Sequence, residues 1–268
     1  MYWLKYLLKE PFHALKTREA REFVRLLTRY GDKQRHVRSN VQFAGYRISV
    51  PDLMSFLWQY KEIFVDEFYF FKADTPSPVI YDCGANVGMS VIYFKKLFPN
   101  ARITAFEAEP AIAAMLTANL KNNQVQGVSI VDKAVWKDNE GVWFGSETAD
   151  SSSIFSLAEK KKISSVRLKD YLTREASIDF LKIDIEGAET DVLEDCRTEL
   201  GRVKNLFVEF HSYIGNQQGL ANIMQIIEEN GFRYYIDTNQ HRTRPFVNHQ
   251  YKNNDVMDLQ LNISCWRE

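Results

Sequence analysis

Two short groups of ionisable side chains each end an apolar run of the chain. The first group is Lys182, Asp184 and Glu186, and the second is Glu209 and His211. Such groups are costly in a folded protein unless they are paired or used for binding and catalysis. A histidine or a carboxylate can take a proton from a substrate hydroxyl. We expect Asp184 or His211 to be this general base, and Lys182 or Glu209 to orient it.

The same side chains include types that bind metal ions. Asp184, Glu186, Glu209 and His211 offer carboxylate oxygens and an imidazole nitrogen, which are common metal ligands. We nevertheless expect no metal here, and full activity in EDTA would support this. Glu189 is interpreted as an acid at a helix start, where the helix dipole stabilises a negative charge.

A glycine turn precedes these groups in the chain. The apolar run Val79–Tyr81 leads into the turn Asp82–Gly88, and Glu107 ends the next apolar run. A strand that enters a helix through glycines lets the backbone approach a nucleotide closely, and an acid after the second strand can bind ribose hydroxyls. The two features together indicate an adenosine-containing cofactor on a doubly wound sheet.

The turn does not have the spacing of a dinucleotide site. Asn86 and Met89 stand where the second and third glycines of G-x-G-x-x-G would be, and no lysine in the turn could bind a triphosphate. S-adenosylmethionine fits better, because it has no phosphate and its sulfonium is favoured by nearby acids. The predicted cofactor-binding residues are Asp82, Gly84, Asn86, Gly88, Glu107 and Ala134.

Apolar strands alternate with helices from Val79 onward, which predicts a mostly parallel sheet covered on both faces. The predicted strands are Val79–Tyr81, Ile103–Phe106, Val128–Val131, Phe180–Ile183, Leu206–Phe210, Phe232–Ile236 and Leu259–Cys265. The predicted helices are Met89–Phe98, Pro110–Leu120, Ala188–Cys196 and Leu220–Glu229. The last strand follows a long polar loop instead of a helix, so we expect it to be antiparallel. The segment 135–177 is expected to hold a hairpin around Trp143 and a helix at Leu168–Leu172.

The chain is divided into a small N-terminal extension of helices and a hairpin, residues 1–75, and an α/β domain, residues 76–268. Packing of the extension on the α/β domain as a lid is favoured over dimerisation. Contact with a membrane surface is the least favoured role, and it would use the apolar residues among lysines near the start of the chain. These residues are Trp3, Tyr6, Leu7 and Phe12.

Composition limits the function classes. The 268 residues are 45% apolar and 26% charged, and the formal net charge is −1, which disfavours a nucleic-acid partner bound through a positive field. Three cysteines without metal-ligand spacing are typical of a reducing compartment, so a cytoplasmic location is expected. We expect neither a secretory signal nor a membrane-spanning helix, since no apolar run in the sequence is long enough to span a bilayer.

Four segments can be compared with known families: Ile80–Gly88, Ala105–Pro110, Leu181–Glu189 and Val208–His211. Together they resemble the FkbM family of S-adenosylmethionine-dependent methyltransferases, a class I, Rossmann-like group. The resemblance covers about residues 60–237, and its most specific part is Lys182–Glu189. It implies a seven-stranded Rossmann-like sheet and methyl transfer to a hydroxyl of a sugar, a glycan or a secondary metabolite. Ala108 departs from the family, which often has proline there.

Two other functions remain as alternatives. A dinucleotide-dependent oxidoreductase is disfavoured by Asn86 and Met89. A non-catalytic scaffold with the same fold is disfavoured because it would need none of the polar and glycine residues at the strand ends. The expected partner is therefore a small-molecule or carbohydrate acceptor, with a homodimer left open.

Overall fold

The computed structural model describes residues 16–146, 152–153, 160–238, 242–252, 254 and 256–267. The helices are α1 Arg18–Tyr30, α2 Leu53–Tyr60, α3 Met89–Leu97, α4 Pro110–Asn122, α5 Leu168–Leu172, α6 Glu189–Cys196 and α7 Leu220–Glu229. The first strands are β1 Ser39–Phe43, β2 Tyr46–Val50, β3 Val79–Cys83, β4 Arg102–Phe106, β5 Val128–Val131, β6 Ala134–Trp136 and β7 Val142–Ser146. The remaining strands are β8 Ser152–Ser153, β9 Lys160–Ile163, β10 Ser165–Arg167, β11 Ile178–Ile183, β12 Val203–Tyr213, β13 Arg233–Asp237 and β14 Met257–Trp266. A π-helical turn, Lys61–Val65, follows α2 directly, and a 3-10 turn, Leu200–Arg202, precedes β12.

Seven strands form the central sheet in the order β13-β14-β12-β11-β3-β4-β5. Within this sheet, the five neighbouring strands β12, β11, β3, β4 and β5 are parallel to one another. Strand β14 is antiparallel to both of its neighbours, β12 and β13. The predicted doubly wound, seven-stranded, mostly parallel sheet with an antiparallel last strand is therefore confirmed. The strand order reverses between β3 and β11, and ligands of open α/β sheets bind at such a switch point.

Strand β12 is longer than the sequence predicts. It was expected to end at Phe210, but it continues to Tyr213 because β14 pairs with it along this length. Glu209 and His211 therefore lie within a strand, opposite Asn262 and Gln260 of β14. Directly opposed residues of an antiparallel pair share one face of the sheet, so these four side chains lie together.

Two hydrophobic clusters cover the two faces of the sheet. Neighbouring residues of β11 alternate between them: Phe180 packs in the first and Leu181 in the second, as the pleat of a strand requires. The second cluster contains the buried faces of α6 and α7, represented by Val192 and Ile226. All six residues of β11 are buried, so the strand that ends at Lys182 and Ile183 is fixed by packing on both sides.

The N-terminal extension packs into the first of these clusters. Phe43 and Phe64 share that cluster with Phe94 of α3. The side chain of Asn119 in α4 accepts a hydrogen bond from the Ser49 N–H and donates one to the Ser49 carbonyl, at 2.8 and 2.9 Å. The boundary at residues 75 and 76 stays a prediction, and the residues proposed for membrane contact lie outside the described part of the chain.

The segment between β5 and β11 has the expected hairpin and helix. Strand β7 pairs antiparallel with β9, and α5 occupies Leu168–Leu172. Strands β6 and β10 form a separate parallel pair that begins at Ala134. Among the described residues, no helix has the length and apolar character needed to cross a membrane.

Candidate active site

A cavity of about 520 Å³ opens where the strand order reverses, at the carboxyl ends of the central strands. Its volume is in the range of roughly 300–1,000 Å³ that is usual for ligand sites. The predicted residues that line it are Gly84, Asn86, Glu107, Ala134, Lys182, Asp184, Glu186, Glu209 and His211. Asp82 and Gly88 do not line it. The structure thus brings the cofactor-binding and catalytic candidates to one cavity.

The glycine turn forms the floor of the cavity. Gly84 has φ of 88°, and a Cβ there would lie 1.8 Å from the carbonyl oxygen of Asp184. Gly88, with φ of 94°, is the N-cap of α3, and its Cβ would lie 2.7 Å from the side chain of Leu116 in α4. Both positions need a residue without a side chain. Gly84 lets β3 and β11 approach closely, whereas Gly88 serves helix packing behind the cavity.

Glu107 is held by the turn that it faces. One carboxylate oxygen accepts a hydrogen bond from the Asn86 N–H at 2.9 Å, and the other accepts one from the Glu109 N–H at 2.9 Å. Burial raises the pKa of Glu107 to about 7, against the effect of these backbone donors, which lower it. The carboxyl group is therefore fixed in orientation at the cavity wall, as a ligand for a ribose diol requires.

Lys182 joins the glycine turn to the catalytic candidates. Its ammonium group donates a hydrogen bond to the Gly84 carbonyl at 2.9 Å and lies 3.1 Å from a carboxylate oxygen of Asp184. It also lies 3.3 Å from Asp82, which is fully buried and accepts a hydrogen bond from Ser90 in α3. Burial lowers the pKa of Lys182, but Asp184 and Asp82 raise it well above its usual value. Lys182 is thus a buried, charged link beneath the cavity.

His211 is oriented by Glu189, a residue that the sequence predicts only as an acid at a helix start. The Nδ1 atom of His211 lies 3.0 Å from Oε1 of Glu189, whose carboxylate also accepts a hydrogen bond from the Gly187 N–H at 3.0 Å. A carboxylate only accepts hydrogen bonds, so Nδ1 carries the hydrogen. The Nε2 atom then remains for the cavity, 3.7 Å from a carboxylate oxygen of Glu186.

Neither residue predicted to orient the base contacts His211. Lys182 is bound to Asp184, as described, and the Glu209 carboxyl accepts a hydrogen bond from the side-chain amide of Gln260 in β14. Burial and the nearby charge of Asp184 raise the pKa of Glu209 well above its usual range. Glu189 takes the orienting position because α6 begins directly after β11 and returns along β12, a long-range contact that no local pattern shows.

One group of possible metal ligands lies in the described part of the chain. A ligand atom of each of Asp184, Glu186 and His211 lies within 4.8 Å of the others. Asp184 already has the charge of Lys182 beside it, and His211 has two carboxylates. The absence of a metal stays a prediction.

Part of the cavity wall comes from residues that no motif in the sequence predicts to be functional. Trp58 and Gln59 of α2, together with Glu62 of the π-helical turn, line the cavity from the N-terminal extension. Lys252 and Gln260 line it from the other end of the chain. In the sequence, the helical spacing of Trp58, Gln59 and Glu62 indicates only that their side chains share one face of a helix. That face cannot be assigned to the cavity until the position of α2 is known.

The fit of S-adenosylmethionine can be judged from these residues. The glycine turn supplies backbone without side chains, Glu107 supplies an oriented carboxyl group, and Ala134 adds a small apolar side chain at the same wall. The glycine turn Asp82–Gly88 contains no lysine that could bind a pyrophosphate, and carboxyl groups outnumber ammonium groups among the charged residues of the cavity. This set fits a cationic, phosphate-free cofactor that contains a ribose.

Comparison with known proteins agrees with this geometry. The methyltransferase FkbM domain matches residues 82–234. Methyltransferase sdnD of Sordaria araneosa is 30% identical over 219 residues, which cover 65% of this chain and 80% of that protein. The 31-O-demethyl-FK506 methyltransferase FkbM of Streptomyces tacrolimicus is 26% identical over 213 residues, with 65% and 80% covered.

A solved structure of a methyltransferase FkbM from Methylobacillus flagellatus KT overlaps 97% of this chain and 60% of that one, at 14% identity and a TM-score of 0.47. The domain match spans more than half of the chain and includes both the glycine turn and the catalytic candidates. The chain therefore belongs to the FkbM family of S-adenosylmethionine-dependent methyltransferases.

Proposed function

We propose that the chain transfers the methyl group of S-adenosylmethionine to a hydroxyl group on a sugar, a glycan or a secondary metabolite. The observation that carries this proposal is the arrangement of His211. Its Nδ1 atom is held by a buried carboxylate, and its Nε2 atom is left to the cavity. An imidazole held in this way is suited to take a proton from a hydroxyl.

Each of the proposed site residues has a separate role. When bound, S-adenosylmethionine supplies an electrophilic methyl group. Glu107 would bind the ribose hydroxyls, while Asn86 and Ala134 would contact the adenosine part. Much of the rate enhancement would come from holding the acceptor oxygen in line with the methyl group in a site that excludes water.

The proton acceptor is proposed to be His211, with Asp184 as the second candidate. Asp184 is the second candidate because its carboxylate is already engaged in an ion pair with the Lys182 ammonium at 3.1 Å. Glu189 orients His211, while Lys182 holds the glycine turn and Asp184 in place. Glu209, held by Gln260, would contribute to the acceptor side of the cavity.

The relatives support an oxygen acceptor only through what their names state. The Streptomyces tacrolimicus protein is named for methylation of an oxygen of a secondary metabolite. The acceptor of this chain is a proposal, and so are the absence of a nucleic-acid partner and the possible homodimer.

Two measurements test the proposal. S-Adenosylmethionine and S-adenosylhomocysteine should each raise the melting temperature of the purified protein, and NAD should not. At about 100 times the dissociation constant the expected stabilisation is about 2.7 kcal/mol. A shift with NAD alone would favour the oxidoreductase, and binding of the sulfur cofactors without any turnover would favour the scaffold.

Turnover is tested by mass spectrometry with paired acceptors that differ in one group. Methyl glycosides that carry only hydroxyls are compared with their amino-sugar counterparts. We expect the products to carry the new methyl group on oxygen. Methylation found only on the amine would contradict the proposed reaction, although the cofactor would be the same.

A further inference from the structure

One face of the first helix after the hairpin is turned toward the cavity. Ser55, Trp58, Gln59 and Glu62 recur at the spacing i, i+3, i+4 and i+7, and all four line the cavity. Residues at this spacing share one side of a helix. The segment runs from α2 into the π-helical turn Lys61–Val65, and such irregular turns are frequent at functional sites.

The opposite face of the same helix is anchored in the core. Leu57 is 0% exposed and Tyr60 is 1% exposed, and the Tyr60 ring stacks on that of Phe64 with 5.0 Å between centroids. The side chain of Asp52 caps the helix start by accepting a hydrogen bond from the Ser55 N–H at 2.9 Å. The face that lines the cavity is therefore held in a fixed position.

Trp58 combines exposure with support from behind. Its side chain is 39% exposed although it is large and apolar, and its ring centroid lies 6.3 Å from that of Phe23 in α1. An indole held by the core on one side and accessible on the other can pack against the apolar face of a ring-shaped ligand. Neighbouring Gln59 and Glu62 add an amide and a carboxyl group, which exchange hydrogen bonds with hydroxyls.

The charge of this part of the cavity restricts what can bind. Four carboxyl groups line it, from Glu62, Asp184, Glu186 and Glu209, together with the ammonium groups of Lys182 and Lys252. Lys182 is bound to Asp82 and Asp184, and Lys252 lies close enough to Glu62 to lower the pKa of that carboxyl group. Carboxyl groups outnumber ammonium groups here, so an anionic acceptor, such as a sugar phosphate, is disfavoured wherever these carboxyl groups are ionised. Burial raises the pKa of Glu62 to about 7, so near neutral pH this group can both donate and accept hydrogen bonds. This favours a neutral ligand with several hydroxyls.

We propose that the helix face of Trp58, Gln59 and Glu62 is the acceptor subsite, and that it binds a neutral, polyhydroxylated ring. Trp58 packs against the ring, and Gln59 and Glu62 bind its hydroxyls. This proposal rests on the proposed methyl transfer, since it places the acceptor opposite the cofactor in the same cavity. It gives the N-terminal extension a direct role in choosing the substrate.

The experiment measures binding of uncharged methyl glycosides to the full chain saturated with S-adenosylhomocysteine. The methyl pyranosides of glucose, galactose, mannose and xylose are titrated to about 50 mM, well above a millimolar dissociation constant, and binding is followed by saturation-transfer NMR. Glucose 6-phosphate is the anionic comparison. The variants are Trp58→Ala, Trp58→Phe and Glu62→Gln, and the matched control is Trp143→Ala, because Trp143 is 59% exposed and does not line the cavity.

At least one methyl glycoside is expected to bind, with little or no binding of the phosphate. Trp58→Ala should weaken that binding tenfold or more, Trp58→Phe should weaken it less, and Trp143→Ala should leave it unchanged. Affinity for S-adenosylhomocysteine should stay within about twofold in every variant, which also shows that each variant is folded. Glu62→Gln should weaken glycoside binding without affecting the cofactor.

Three results would overturn the proposal. They are no glycoside binding by the wild-type chain, tighter binding of the phosphate, or glycoside binding that persists unchanged in both Trp58→Ala and Glu62→Gln. Failure of the proposed methyl transfer would give a different result in these binding and turnover measurements. In that case the wild-type chain would not bind S-adenosylhomocysteine at all, or would bind both ligands without turnover.

Discussion

The imidazole of His211 in β12 is bound to the carboxylate of Glu189, the first residue of α6, with 3.0 Å between Nδ1 and Oε1. Glu189 is 1% exposed and His211 is 6% exposed. The bond therefore joins two elements inside the protein, where water cannot compete for either group. Its consequence is that the strength and orientation of the proposed base depend on a residue that does not line the cavity.

This bond predicts the pH dependence of turnover. Burial lowers the pKa of His211, but the carboxylates of Glu186 and Glu189 raise it well above its usual value, with a smaller contribution from Glu209. Only the neutral imidazole accepts a proton, so kcat/KM should rise as the pH increases through this raised pKa. Glu189→Gln removes one negative charge, lowers the pKa of His211 and should shift the rise to lower pH.

The measurement is kcat/KM against pH for the wild-type chain and Glu189→Gln, with Glu140→Gln as the exposed control. His211→Asn should lower turnover by about 10²-fold or more while the affinity for S-adenosylhomocysteine stays the same. A pH profile that does not move in Glu189→Gln would contradict the role given to Glu189. Full turnover in His211→Asn would mean that another group accepts the proton, and Asp184 would then be the first candidate.

Replacement of Glu107 tests the cofactor end of the cavity. Glu107→Gln should raise the dissociation constant for S-adenosylhomocysteine about tenfold to a hundredfold, since hydrogen bonds to charged groups contribute about 1.5–3 kcal/mol. Because burial raises the pKa of Glu107 to about 7, affinity in the wild-type chain should also fall as the pH drops below 7. Calorimetric titration measures both effects, and equal affinity of wild type and variant would exclude Glu107 as the ribose ligand.

Gly84 and Gly45 have nearly the same backbone angle, so replacing each of them by alanine distinguishes backbone strain from a steric clash. Gly84 and Gly45 have φ of 88° and 89°, but only at Gly84 would a Cβ meet another atom, the Asp184 carbonyl oxygen at 1.8 Å. Gly45→Ala should lower the free energy of unfolding by about 1 kcal/mol. Gly84→Ala should lower it by about 4 kcal/mol or more, or prevent folding. Urea denaturation gives both values, and similar losses would mean that β11 can move away from the turn.

Asp52 caps the helix that carries the acceptor subsite, and its ionisation makes the stability of the folded protein depend on pH in the acidic range. Burial raises the pKa of this carboxyl group, but hydrogen bonds from the His36 N–H, Arg35 and Ser55 outweigh it and lower the pKa from 3.8 to about 2. A lowered pKa stabilises the folded state above pH 3.8, and the contribution is lost as the pH falls toward 2.

Asp52→Asn should therefore lower the free energy of unfolding at pH 7 by about 2 kcal/mol. The difference from wild type should shrink between about pH 4 and pH 2, where the wild-type carboxylate takes up a proton. Denaturation curves at a series of pH values measure this, with the exposed residue Asp32 replaced by Asn as control. A constant difference across that range would show that the loss comes from packing and not from charge.

Chelation tests the cluster of Asp184, Glu186 and His211. We expect EDTA to leave turnover unchanged, because the Lys182 ammonium lies 3.1 Å from Asp184 and already supplies the positive charge that a metal ion would bring. Activity is measured before and after dialysis against EDTA, and again after Mg²⁺, Mn²⁺ or Zn²⁺ is added back. Loss of activity that one of these ions restores would show a metal site in place of a simple base.

Most of the sheet could be predicted because its information is local. Each central strand is a short apolar run between helices, and each predicted site residue stands at or near the end of such a run. Glu107 and Asp184 follow directly from this rule, since the carboxyl ends of parallel strands meet at one edge. The antiparallel direction of the last strand could also be predicted, because a polar loop and not a helix precedes it.

The rest depended on contacts between distant parts of the chain. Glu189 contacts His211 across 22 positions of sequence, and at the level of sequence it cannot be told from an ordinary acid at a helix start. Trp58 and Glu62 belong to a region without a recognisable motif, so their role depends on where α2 packs. The length of β12 depends on β14, which is why Glu209 and His211 lie inside a strand and not after it.

The position of β14 constrains how the molecule is made. This strand lies between β12 and β13, and it pairs Asn205 with Trp266 and His211 with Gln260. During synthesis β12 and β13 leave the ribosome first, but they cannot join the same sheet until residues 257–266 have emerged. Until then β12 has an open edge, which is prone to aggregation. Because Gln260 lines the cavity, the acceptor side of the active site is completed only after β12 and β13 have both been synthesised.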